Sequence, residues 1–280
     1  MKLKSGTTKS RSQEENSGSK KIKKIMNYIA LGKSNLLVSR TALSSMALAN
    51  IKDDEKASEI INMAWEGGVN FFDTSRRSPE SEERLGNTLH GDIRKDIFVS
   101  TKTQSLLSWK IDEDIEKSLE ALKTDYIDLY QLENPAYLPE EYGEDGVVEK
   151  LRSLKKEGKI HHFGVCTDNF DIARKLIHSK VEWETLQFPF NLLCTQDILE
   201  LMYDCREKDI GFIAEQPLCS GIIQNVPLAV GFFSQNDYAV PVWGIQKLEE
   251  LQQILYFSEN PPVIDEAFNE EVENYRAFFN

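Results

Sequence analysis

The sequence predicts an α/β protein whose strands close into a (β/α)8 barrel, and three observations carry that expectation. From Met26 onward, short and nearly continuous apolar runs alternate with segments of helical periodicity, the pattern of parallel strands buried on both faces. Eight such runs can be counted, the number that closes a barrel. The first run is not followed by GxGxxG, the phosphate-binding turn that an open doubly wound sheet would carry there.

Taken in order, RTALSSMAL supplies the first strand. Ala57, Ile60, Ile61, Ala64 and Trp65 then fall at helical spacing and end at Gly67 and Gly68, a helix stop. VNFFD is the second strand and DIFVSTK the third, followed by a helix with Ile111, Ile115, Leu119 and Leu122 on one face. YIDLYQL leads to a helix through Val147, Leu151 and Leu154. IHHFGV and ETLQF follow, then a helix through Ile198, Leu201, Met202 and Cys205, then GFIAE and YAVPV. Room remains for one more helix around Leu228 to Ser234. Barrel chemistry gathers at the C-terminal strand ends, so topology alone selects Asp73, Lys102, Glu133, Cys166, Gln187, Glu215 and Gly244.

A chain of 280 residues, 40% hydrophobic and 28% charged, suits one large domain. It shows no internal linker, no repeat and no apolar run of bilayer length. Residues 1–25 hold eight Lys or Arg against two Glu and almost nothing apolar, which predicts a disordered, solvated basic tail before a barrel over 26–280. That tail lacks the apolar centre of a signal peptide, and Met26 would itself serve as a start. The remainder carries a formal charge of −19, which repels nucleic acid. Cys166, Cys194, Cys205 and Cys219 show neither CxxC spacing nor close pairing, so free thiols in a reducing, cytoplasmic setting are expected and no metal site is. His161 and His162 sit inside a strand, where at least one faces the helices.

LGKSNLLVSR, VNFFDTSRRSPESEERLG, STK, LKTDYIDLYQL, EGKIHHFGV and PLCSG occur in this order, and together they resemble the aldo/keto reductase superfamily from about Asn27 to about Leu255. The resemblance implies a (β/α)8 barrel capped by a hairpin of NYIAL and LLVS, NADPH bound without a Rossmann fold, and reduction of aldehydes and ketones. It also implies an Asp, Tyr, Lys and His tetrad. Hydride reaches the carbonyl carbon while a phenol, its pKa lowered by the Lys, protonates the developing alkoxide.

Two members of that tetrad match: Asp73 and Lys102. The Tyr of the family's DTAxxYGxSE aligns without a gap onto Ser78, and the His onto Glu133. A serine hydroxyl is a far weaker and shorter acid than a phenol. For Asp73 and Lys102 a working remnant and a simple satisfied ion pair both remain open. Glu133 as a new base, and Tyr137 or Tyr142 as substitute phenols, are further alternatives.

The NADP site departs from the family as well. GVCTDN replaces GVSN and puts Cys166 and Thr167 where a Ser and an Asn hold the carboxamide, while Gln187 is kept. AEQPLCSG, with Glu215 and Ser220, replaces AYSPLGSG and its stacking Tyr. VWGIQKLEELQQI, with Gly244, replaces the segment that grips the adenosine phosphate and offers only the cation of Lys247. The expectation is a family barrel with a degenerate site, acting in binding or regulation on a small-molecule ligand or protein partner. Its alternatives are an NAD(P)H-dependent oxidoreductase acting on a small carbonyl or enone with non-standard acids, and an assembly subunit of open oligomeric state.

Overall fold

The computed structural model describes residues 26–279. The expected basic tail over residues 1–25 lies outside the described residues. A two-stranded antiparallel hairpin comes first, β1 (Tyr28–Ala30) and β2 (Leu37–Ser39), with Ile29 opposite Val38. Eight parallel strands then form a closed barrel: β3 (Ala42–Ser44), β4 (Phe71–Asp73), β5 (Phe98–Thr103), β6 (Ile127–Glu133), β7 (Ile160–Cys166), β8 (Thr185–Pro189), β9 (Gly211–Glu215) and β10 (Ala239–Gly244). Each pairs with the next, and β10 returns to pair with β3, Val242 opposite Ala42.

The helices are α1 (Asp54–Glu66), α2 (Pro79–Thr88), α3 (Ser108–Leu122), α4 (Val147–Lys156), α5 (Phe170–Ile177), α6 (Gln196–Glu207), α7 (Val226–Gln235), α8 (Leu248–Glu259) and α9 (Glu266–Phe279). Several of their starts follow capping chemistry. Asp53 accepts from the N–H groups of Glu55 and Lys56, and Asn169 from those of Asp171 and Ile172. Pro79 opens α2 at a position where its missing N–H costs nothing. RTALSSMAL is shorter as a strand than expected: after Ser44 the helix-favouring run SMALAN forms a 3-10 helix, Ser45–Asn50.

Side chains alternate along each strand. Outward positions such as Phe72, Tyr130, Phe163 and Phe212 join the core under the helices. Inward positions split into two layers. The lower one is apolar, built from Ala42, Phe71, Leu129, Ile213, Val240 and Val242 and sealed by Leu31, Leu36 and Val38 of the hairpin segment. Gly32, at φ 51°, lets this plug touch the barrel backbone, since a Cβ there would lie 2.2 Å from the Gly211 nitrogen.

Candidate functional site

The upper layer of the barrel interior is polar. Lys102 on β5 is 1% exposed, and its ammonium donates to Asp73 Oδ1 on β4 at 2.5 Å and to the Thr74 carbonyl at 2.7 Å. Burial opposes the charge of Lys102, but Asp73 above all, with Glu133 beside it, outweighs burial and holds its pKa above the usual lysine value. The other Asp73 oxygen accepts from Gln187 Nε2 at 3.4 Å, and Gln187 Oε1 accepts from Gln131 Nε2 at 2.8 Å. Gln131 also donates to Ser100 Oγ at 3.0 Å. One continuous chain of hydrogen bonds thus runs across four strands.

Glu133 closes β6 at 4% exposure. One of its oxygens accepts from Ser75 Oγ at 2.7 Å, and the other pairs with Arg77 Nε at 2.9 Å. Neither Ser75 nor Arg77 was singled out by sequence reasoning. The available signal was the SRR that follows Asp73 and Thr74 in place of the family's Axx.

Ser78, where the family's phenol would stand, is the residue preceding α2. Its N–H donates to the Ser75 carbonyl at 3.0 Å, its own carbonyl accepts from Ser81 N–H at 3.0 Å, and its hydroxyl makes no capping bond. The helix that follows is anchored by Glu82, fully buried, which accepts from Thr101 and Ser118 hydroxyls at 2.6 and 2.7 Å and pairs with Arg76 at 2.6 Å. Burial raises the Glu82 pKa against those bonds.

On the opposite side of the mouth the Cys166 thiol lies 3.7 Å from Glu215 Oε2 and donates to it. Burial, reinforced by the Glu215 carboxylate, pushes the thiol well above its ordinary value. Burial likewise raises Glu215, with Asp73 and Glu133 pushing the same way and Lys102 opposing.

The structure therefore brings Asp73, Lys102 and Gln187 into one bonded set, with Glu133, Cys166 and Glu215 around it. It does not bring in the rest. Thr167 is buried and its hydroxyl accepts from the Asn169 N–H at 3.1 Å, a local turn bond. Ser220 is exposed in a left-handed conformation at φ 54°, and Gly244 is exposed at the end of β10. Lys247 stands at the start of α8, 72% exposed and 3.8 Å from Glu250. Tyr137 and Tyr142 line an outer groove with Lys175 in the last turn of α5 and His178 and Lys180 beyond it. The hydrogen-bond partners of the Lys102 ammonium among the described residues are Asp73 and Thr74, and no tyrosine is one of them. The four cysteines are free, and no group of three or more His, Cys, Asp or Glu among the described residues is arranged to hold a metal ion. No helix among those residues is long and apolar enough to cross a membrane.

Sequence comparison with known proteins gives the same family, and comparison with solved structures the same fold. The profile of the aldo/keto reductase family matches residues 43–227. The chain is 30% identical over 225 residues to "Uncharacterized oxidoreductase YqkF" of Bacillus subtilis (strain 168), covering 74% of this chain and 71% of that protein. It is 29% identical over 218 residues to "Aldo-keto reductase YhdN" of the same organism, covering 71% of this chain and 64% of that one. Among solved structures, "aldo-keto reductase AKR11C1 from Bacillus halodurans (holo form)" superposes with a TM-score of 0.77 at 20% identity, over 90% of this chain and 96% of that one, a likeness of fold. The eight-stranded barrel, its hairpin and these matches together make the chain a member of the aldo/keto reductase family.

Proposed function

We propose that this barrel has lost the family's route to carbonyl reduction and serves as a binding or regulatory protein in the cytoplasm. The observation that carries the reading is the set of partners around Lys102 and Glu133. Ser78 stands in the phenol's place, so the Lys102 ammonium, held by Asp73 and the Thr74 carbonyl, has no phenol to tune, and Glu133 is tied to Ser75 and Arg77. A missing general acid alone costs about 10² to 10⁴ in rate.

The residues present also do not fit a phosphate-rich dinucleotide. Both ends of the Gln187 amide are already bonded within the protein, to Gln131 and Asp73, so holding a nicotinamide carboxamide would break that chain. The Thr167 hydroxyl oxygen already accepts from the Asn169 N–H in its own turn. Glu215 places a carboxyl, not a ring, beside Cys166, and Lys247 faces Glu250.

Fluorescence titration with NADPH and NADH tests this, with a Kd weaker than about 10 µM expected, less than roughly 7 kcal/mol of binding. Tighter binding, or NADPH consumption with any simple aldehyde, overturns it. The variant Ser78→Tyr with Glu133→His is expected to show weak turnover at best, because the nicotinamide platform is also changed. Brisk reduction by that variant would mean an intact cofactor pocket.

One observation favours a second reading, an NAD(P)H-dependent oxidoreductase with a different acid. Glu215 lies at the mouth beside Cys166, and burial raises its pKa, the direction that suits a carboxyl to proton donation. Loss of wild-type aldehyde or enone reduction in Glu215→Gln would establish it.

A further inference from the structure

The resemblance carried by the motifs ends near Leu255, yet α9 beyond it reaches back to two loops at the barrel mouth. Phe268 and Val272 bury one face of α9. Phe268 sits in a notch on α7 made by Gly231, where a Cβ would lie 2.4 Å from its ring. Asn269 bonds to Gln235 and Glu271 to Asn225, both at 2.9 Å. Nearer its C-terminus, Tyr275 Oη donates to the Ile222 carbonyl at 3.0 Å and accepts from Gln224 N–H at 3.3 Å, in the loop after β9. The next residue, Arg276, donates from Nε to the Leu192 carbonyl at 2.7 Å, in the loop after β8. Those two loops are joined to each other by Asn191 Nδ2 donating to the Gln216 carbonyl at 3.0 Å.

The loop after β9 is strained. Gln216, Cys219 and Ser220 all lie at positive φ, between 48° and 54°, a conformation that persists in non-glycine residues only where surrounding contacts impose it. The last turn of α9 holds this loop just beyond those residues, through Tyr275 at Ile222 and Gln224, while Phe278 is 81% exposed and adds little burial to hold that turn down.

We propose that α9 is a strap that sets the opening of the barrel mouth, with Tyr275 and Arg276 as positioning residues for the loops after β8 and β9. When its last turn lifts, both loops move together and uncover the floor at Cys166. The significance for ligand entry rests on reading the mouth as the binding site; the strap itself does not.

Four native thiols test it without any ligand. Cys219 lies in the loop after β9 and Cys194 in the loop after β8, both partly buried; Cys166 lies on the floor, 2% exposed; and Cys205 in α6 is fully buried and reports global opening. N-Ethylmaleimide labelling at pH 8, read site by site by mass spectrometry, compares the unmodified chain with Tyr275→Phe and Arg276→Lys. The lysine variant keeps the positive charge that acts on the Cys194 thiol, itself pushed up to about 11 by burial, but removes the guanidinium bond to Leu192. Each variant is expected to speed labelling of both Cys194 and Cys219 about tenfold, with Cys166 following and Cys205 unchanged. Acceleration confined to the thiol beside the altered residue, no acceleration, or Cys205 rising in step overturns the proposal. In the unmodified chain, hydrogen exchange gives a check that needs no variant: the last turn of α9 and the amides of Leu193 and Gln224 are expected to share one protection factor, and differences above about tenfold overturn the strap. Reductase activity in the unmodified protein would sink the reading of a lost reductase and leave these results untouched.

Discussion

The lower and upper layers of the barrel interior are built by the same strands and have opposite characters. Phe71 and Asp73 are two residues apart on β4, Leu129 and Glu133 four apart on β6, Ile213 and Glu215 two apart on β9; in each case the lower side chain is apolar and the upper one ionisable. The lower layer needs only volume and shape, because its neighbours are carbon. The upper layer needs a complete set of partners, because each buried charge without one costs several kcal/mol. Three of its departures from the family carry partnerships within the layer: Glu133 with Ser75 and Arg77, and Cys166 with Glu215.

Removing one partner from the upper layer should hurt most. Lys102→Met leaves Asp73 buried and unpaired and is expected to cost about 3–5 kcal/mol in urea denaturation, most of it recovered when Asp73→Leu is added. If the single variant is as stable as the unmodified chain, the polar layer is not what organises the mouth. In the lower layer, Leu129→Ala is expected to cost roughly 3 kcal/mol through a cavity in a plugged interior. A partner substitution would not recover it, and that difference in rescue separates the two layers.

A smaller effect, about 1 kcal/mol, is expected for Arg77→Ala, since Arg77 is 47% exposed and water screens its pull on Glu133. The least is the pH dependence of Glu215. Its folded pKa is raised above 4.5, so its protonated form favours the fold. Relative to Glu215→Gln, stability is expected to be full below that value and to fall as pH rises through the elevated one. The opposite slope would mean that Lys102 dominates this carboxyl.

Strands and closure were legible in the sequence because the alternation of short apolar runs with helical segments is local and repeats eight times. The pairing of Asp73 with Lys102 was legible too, since both fall at the upper ends of neighbouring strands; Cys166 and Glu215 meet across the intervening β8, which strand adjacency alone does not give. Arg77 reaching across to Glu133 was not, for its position depends on how the turn before Pro79 coils rather than on strand register. Lys247, Ser220 and Gly244 match family positions in sequence yet lie away from the bonded set around Lys102. The helix α9 was missed although Phe268, Val272 and Tyr275 stand four and three residues apart, a helical spacing that lay beyond the last recognisable motif.

The seam between β3 and β10 has a consequence for synthesis. Ala42 must wait for Val242 before its strand gains that neighbour, so a growing chain carries a bare sheet edge for the time it takes to make about two hundred residues. At roughly 5–20 residues per second that exposure lasts tens of seconds at most, long enough for nascent copies crowded on one message to cross-pair by that edge.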